Sequence, residues 1–256
     1  MTYREFLLLV LLPALIVAAA GLAVRYARTT PAHRARLRRG LVLAGLLSVT
    51  AVVYTTAWDR WLIVHSVWGY PPHSVLGTVF SVPIEEYLFM IGQTALTGCW
   101  TLLVEPADPP FVPAPRGSAR RIGHTIGWLA VAAVGAVLAL HQRSLYLGAI
   151  LFWFGPPLAL QAAVGADVLR AFRRRRLIGL AITVGLWVAD AVAIDKGAWW
   201  LSPEHTIGLR FFGLPVEEAV FFLCTNLLIV NSILLVSTPA MRARLPVIAS
   251  EVEAAP

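Results

Sequence analysis

The chain has 256 residues, 58% hydrophobic and only 14% charged, with 21 Lys and Arg against 14 Asp and Glu for a net charge of +7. A soluble domain carries about 25% charged residues. With a mean hydropathy of +0.73 and several apolar runs of bilayer-crossing length, the composition excludes an ordinary soluble domain and points to a polytopic, all-α membrane helical bundle.

In chain order, seven transmembrane helices are expected, at about 5–25, 40–58, 79–104, 122–141, 145–168, 177–195 and 213–237. The first run, Phe6 to Val24, includes Ala18–Ala20 but is long for a signal-peptide core, and only Arg4 precedes it, so it reads as a retained span. Between the spans lie an arginine-rich segment (Ala27–Arg39), a proline-rich one (Glu105–Arg121) and an arginine run (Arg170–Arg176). The polar tail after Thr238 is expected to be disordered. Cys99 and Cys224 both fall inside apolar runs, with no CxxC spacing, and read as packing residues.

The basic residues set the orientation. With the N-terminus outside, the inner segments hold Arg25, Arg28 and the Arg34–Arg39 group, then Arg116, Arg120, Arg121, Arg170, Arg173–Arg176, Arg242 and Arg244. The outer side keeps Arg4, Arg60, Arg143, Lys196 and Arg210. The positive-inside rule selects N-out, C-in, and the net positive charge is cytoplasmic loop charge rather than a nucleic-acid surface.

A pattern recurs along the chain. Asp59 and Trp68 are nine residues apart, and so are Asp190 and Trp199. Pro83-Ile-Glu85-Glu86 follows the first pair and Pro215-Val-Glu217-Glu218 the second, with Trp-to-Pro separations of 15 and 16 residues. An internal duplication is expected: a three-helix unit over 1–105, a linker and joining fourth helix over 106–143, a second three-helix unit over 144–238 and the tail at 239–256. The fourth span gives the two units the same sense, a 3+1+3 arrangement of parallel repeats about an axis along the membrane normal.

Half of the acidic residues, namely Asp59, Glu85, Glu86, Asp190, Asp195, Glu217 and Glu218, cluster at these helix ends. Proline at a helix start and one glutamate in the first turn suit the helix dipole. Two glutamates per motif, twice, with a matched aspartate, exceed that need and mark a functional site, because ionisable groups at membrane depth are costly. Adjacent helical residues point about 100° apart, so one glutamate of each pair is expected to face a cavity and its neighbour to brace it; Glu85 and Glu217 are taken as cavity-facing. Carboxyls in an apolar cavity hold protons readily, and two close together form an acid–base pair without a metal or nucleotide. Nearby aromatics, including Trp58, Trp61, Trp68, Trp199, Trp200, Phe211 and Phe212, either stabilise a carbocation through their π faces or anchor the chain at the interface.

Other chemistries lack their residues. There is no GxGxxG or GxxxxGK[ST]. Asp190 and Asp195 are wrongly spaced for a magnesium–diphosphate site, and the single lysine, Lys196, ends the sixth span, excluding a Schiff-base lysine in the seventh. His65, His73 and His205 read as interfacial. A proton-coupled transporter would need paired mid-helix breaks, which the sequence does not show.

The motifs PIEE at 83–86 and PVEE at 215–218, each with its Asp-x8-Trp leader, resemble the small membrane lycopene cyclases, two-subunit or fused. The resemblance covers nearly the whole chain. It implies cofactor-free, metal-free cyclisation of the linear ends of lycopene to β-rings, giving γ- or β-carotene: a double bond is protonated, the cation closes the ring, and a proton leaves. It implies catalytic Glu85, Glu86, Glu217, Glu218, Asp59 and Asp190. Of the nearby aromatics, Trp58, Trp68, Trp199 and Phe211 are expected to contact the substrate, and the apolar spans are expected to lie in the cell membrane among lipid, with other carotenoid-pathway enzymes as partners. Relatives acting on C50 chains or shorter isoprenoids leave a different terpene substrate as the alternative.

Overall fold

The computed structural model describes residues 1–105, 118–237 and 241. Most of the expected proline-rich linker and tail lie outside them. Seven helices long and apolar enough to cross a membrane are present among the described residues: α1 (Tyr3–Arg28), α2 (Pro31–Val64), α3 (Ile84–Val104), α4 (Ser118–Leu138), α5 (Leu145–Ala171), α6 (Arg173–Asp195) and α7 (Val216–Ser237). All seven expected spans are found, but two basic segments read as loops are helical. Thr30 caps α2, its hydroxyl accepting from the His33 N–H, with Pro31 at the first helical position. The second half of the Ala27–Arg39 segment therefore belongs to α2. The run Arg173–Arg176 opens α6, leaving only Phe172 between α5 and α6. Arginine is a good helix former whose stem can lie along the helix while its head stays in a polar layer.

At the end of the bundle where α1 meets α2, Arg25 ties the helices together. Its guanidinium donates to the carbonyls of Leu103 and Glu105, and its Nε donates to His33 Nε2 at 3.3 Å. Burial pushes the Glu105 carboxyl above its ordinary value, with Arg36, Arg175 and Arg25 opposing that shift.

The opposite end carries six two-residue strands. They are β1 (Trp68–Gly69), β2 (Thr78–Val79), β3 (Val82–Pro83), β4 (Trp200–Leu201), β5 (Arg210–Phe211) and β6 (Leu214–Pro215). The two loops that hold them are built alike. Both α2 and α6 end in a left-handed residue, Ser66 at φ 54° and Gly197 at φ 68°. In each, the next N–H reaches back five residues: Val67 N–H to the Leu62 carbonyl, and Ala198 N–H to the Ala193 carbonyl, both 2.9 Å. Each loop then makes a tight antiparallel hairpin, β2 with β3 and β5 with β6. Ile84 N–H bonds the Gly77 carbonyl, and Val216 N–H bonds the Leu209 carbonyl, both at 3.0 Å. The extra residue of the second loop is Gly208, at φ 78°, a conformation glycine adopts without steric cost. β1 and β4 pair antiparallel across the two loops, so each loop closes against the other. Gly69 is required there, because a Cβ would stand 2.5 Å from the Trp200 indole.

α3 and α7 form the centre, with a larger share of their residues buried than any other span; α1 and α2 pack on α3, α5 on α7, and α4 on α5. The α4–α5 seam is close backbone contact: a Cβ on Gly148 would lie 2.3 Å from the Ala139 backbone nitrogen, and one on Gly135 would lie 2.5 Å from that of Phe152. Small residues allow such approach between helices in lipid, where packing replaces the hydrophobic effect as the driving force. Gly148→Ala is expected to cost about 1–3 kcal/mol, read as a lowered unfolding midpoint in mixed micelles. Gly127→Ala, on α4 with open space beside it, should not lower the midpoint, because alanine is the better helix former.

Candidate active site

Because α2 and α6 end where α3 and α7 begin, the recurring acidic residues converge on one end of the bundle. Asp59 and Asp190 each lie five residues before the end of their helix, and the glutamate pairs occupy the first turns of α3 and α7. A cavity of about 380 Å³ runs inward from this point. Asp59, Glu86, Asp190 and Glu218 line it, together with Trp68 and Trp199. Asp59, Asp190 and Glu218 are buried and Glu86 is half-buried, and the four are close enough to act on one another electrostatically, across the two halves as well as within each.

The structure assigns the adjacent glutamates opposite to the sequence expectation. Glu85 and Glu217 point away from the cavity into their loops. Leu76 N–H donates to Glu85 Oε1 at 2.8 Å, and Ile207 N–H donates to Glu217 Oε1 at 2.7 Å. They are the braces. Glu86 and Glu218 are the cavity-facing members. The reason is tertiary: each hairpin folds back over the helix start and presents an unpaired N–H to the first glutamate, and the second then lies about 100° away on the bundle side.

Each cavity glutamate is held by phenols. Tyr70 donates its hydroxyl to Glu86 Oε1, and the Tyr3 hydroxyl reaches the same carboxylate. Tyr146 donates to Glu218 Oε1 at 2.8 Å. Burial and the neighbouring Glu86 push the Tyr70 phenol well above its ordinary value, so it stays an O–H donor. Reading the motifs alone misses these tyrosines, although a signal exists. Tyr3 and Tyr146 each stand ten residues before a proline, Pro13 and Pro156, at the start of the first helix of their half. Tyr70 has no counterpart: eleven residues after Asp59 stands Tyr70, but eleven after Asp190 stands Leu201. The two half-sites are chemically unequal.

Aromatic rings make up the rest of this end: Tyr3 packs on Trp199 at 4.9 Å, Trp68 on Tyr146 at 5.1 Å, and Phe89 on Phe222 at 6.0 Å. Trp58 does not line the cavity but stacks behind it on Phe221, 5.9 Å away with planes 5° apart. Phe211 is not part of the site. It sits in the second hairpin beside Phe212, 57% exposed. Farther along the cavity, Gln93 donates to Thr225 Oγ1 at 2.9 Å, and behind the lining Thr97 and Thr183 bond the Asn226 amide, also at 2.9 Å. The site offers buried carboxyls facing an aromatic chamber: groups for moving protons, with π faces suited to a cation.

The family model described as lycopene cyclase matches residues 6–103 and 143–236. The chain is similar to a lycopene beta-cyclase of Halobacterium salinarum, 41% identical over 197 residues, covering 75% of this chain and 80% of that protein. It is also similar to a bifunctional lycopene cyclase/phytoene synthase of Leptosphaeria maculans, 35% identical over 205 residues, covering 72% of this chain and 34% of the fungal protein. No solved structure matches.

The brace geometry has a direct consequence. Glu217→Ala leaves the Ile207 N–H without its acceptor, a loss of about 1–3 kcal/mol where that donor is shielded from water. Amide hydrogen exchange at Ile207 and along β5–β6 should speed up, while Glu217→Gln, which keeps an acceptor oxygen, should preserve protection. Equal exchange in both variants would show that the carboxylate does not hold the loop.

Proposed function

This chain belongs to the lycopene cyclase family, isomerase-type enzymes of carotenoid biosynthesis, and from that premise we propose that it closes the linear ends of lycopene to β-rings by proton transfer among Asp59, Glu86, Asp190 and Glu218. The reaction needs no net oxidation. A carboxylic acid gives its proton to the terminal double bond, leaving a tertiary cation. The neighbouring double bond attacks that cation and closes the ring. A carboxylate then removes a ring proton and a double bond reforms, so one proton enters and one leaves.

The observation that carries this reading is the tyrosine-held pair, Glu86 and Glu218, facing each other's half-site across one aromatic chamber. Phenol donors fix each carboxyl in direction, which proton transfer to or from a particular carbon requires. Asp59 and Asp190 serve as their partners; one oxygen of Asp190 is buried without a hydrogen-bond partner. Trp68 and Trp199 line the chamber and supply π-systems for the cation, and Trp58 acts by supporting that wall.

The chain is read as two parallel three-helix repeats, 1–105 and 144–238, joined by α4. The family match falls on two segments that bracket α4, and the two loops repeat each other's hydrogen bonds with a single-residue offset at Gly208; both support this reading. The distribution of arginine supports an N-out, C-in orientation in the cell membrane. On that reading the acidic end faces the outer leaflet, with lipid around the bundle and other enzymes of the pathway supplying the substrate.

Expression in a lycopene-accumulating host should convert lycopene to ring-bearing carotenes. Glu86→Gln and Glu218→Gln should each lower ring formation by at least about 100-fold. Glu85→Gln and Glu217→Gln, whose amides still accept the loop N–H, should keep most of it. Chromatography of the pigments decides, and the reverse order of severity would return the acid role to the brace residues.

A further inference from the structure

The cavity is not a closed chamber. Away from the carboxyls its lining includes Leu47, Thr50 and Ala51 of α2 and Pro157, Leu160 and Gln161 of α5, beside residues of α3 and α7. Among these, Thr50 and Leu160 are open to the outside, Leu160 by 65%. Lining residues from α1, α3 and α6 are buried or half-buried. The α2 and α5 backbones stay apart, and beyond the side chains that pack between them at the acidic end the cavity opens between the two helices. Nearer the carboxyls, side chains cross between the two helices: Trp58 packs on Trp153 and Phe154 at 6.4 and 5.9 Å, and the Tyr54 hydroxyl donates to the Trp153 carbonyl at 2.8 Å, with the rings 4.8 Å apart. This last contact lies between the mouth and the carboxyls, for Tyr54 is five residues before Asp59.

The dimensions suit a slender chain. From Asp59 to Leu47 along α2 is about 18 Å, and from Tyr146 to Gln161 along α5 about 22 Å, at 1.5 Å per residue. A bilayer core is about 30 Å thick. The slot thus runs from the acidic end to beyond the middle of the membrane, and its mouth meets acyl chains.

We propose that the gap between α2 and α5 is a lateral portal through which the end of a linear polyene enters from the lipid, the rest of the chain lying out between the two helices while the ring closes. This rests on the cyclase reading above. An acyclic carotene is longer than the slot, so a bound molecule extends through an opening, and this one is continuous with the carboxyls. A polyene dissolved in hydrocarbon then reaches the site without crossing water, and the newly formed ring leaves by the same path. The Tyr54–Trp153 bridge sets the height at which the chain passes.

The test fills the mouth. A Thr50→Phe, Ala51→Phe double variant is compared with Val49→Phe, Val53→Phe, on the same helix at positions that are 63% and 73% exposed and do not line the slot. Two signals are read in detergent micelles or vesicles: kcat/KM for lycopene, and quenching of tryptophan fluorescence by the bound polyene. A short acyclic terpenoid ending in the same double bond is run alongside. The portal predicts at least a tenfold loss of both lycopene signals in the first variant, wild-type values in the second, and retained turnover of the short substrate in both. Equal lycopene binding by the two double variants overturns the portal. Failure of the wild-type protein to make rings while it binds lycopene would sink the cyclase reading instead, and the quenching comparison would still decide the portal. Loss of the short substrate by the first variant alone would mean damage to the site, and the smaller Ala51→Val change, read by quenching, then decides.

Discussion

A carboxyl group buried in an apolar bundle must find hydrogen-bond donors or carry a penalty of several kcal/mol. The architecture of the acidic end follows from that requirement. Glu85 and Glu217 take their donors from loop backbone, which folds each loop over the start of its helix. That fold, in turn, sets where α3 and α7 begin and which way their next residue points. Glu86 and Glu218 are then left facing inward, where backbone donors are already committed to the helices, and tyrosines from other elements supply the need. Loop, helix start and the direction of the inward-facing carboxyls are one linked arrangement.

The same economy explains why the two halves are alike without being equal. The loops repeat their hydrogen bonds, absorb a one-residue difference at Gly208 and close on each other through β1 and β4. Yet Glu86 has Tyr3 and Tyr70 for neighbours, whereas Glu218 has Tyr146, with Leu201 where the first half places Tyr70. Proton delivery and proton removal are different tasks, and two carboxyls in different hydrogen-bond surroundings are suited to divide them. The open side of the cavity adds a further asymmetry, since α5 carries a mouth residue, Leu160, while α1, which holds the matching tyrosine, contributes only Tyr3 to the lining.

Seven helices could be read directly from the sequence, because hydrocarbon leaves the backbone no alternative to internal hydrogen bonding and the apolar runs are long. Their limits were less legible. α2 begins at Pro31 and α6 at Arg173, inside segments whose charge suggests loops, since arginine extends a helix as readily as it marks a membrane boundary. α3 and α7 start later than hydropathy suggests, after hairpins too short to produce an alternating pattern.

At the site, spacing alone brought Asp59, Asp190, both glutamate pairs, Trp68 and Trp199 to one end of the bundle, because recurrence at matched intervals survives without any knowledge of packing. What spacing could not do was choose between adjacent glutamates, separate Trp58 from the lining, or remove Phe211 to an exposed hairpin. Those depend on how loops fold back and on which element stands opposite, contacts between residues far apart in the chain. The Tyr3 and Tyr146 pairing with Glu86 and Glu218 is of the same kind: the tyrosines are spelled out in the sequence, but only tertiary packing puts a phenol from one helix against a carboxyl on another.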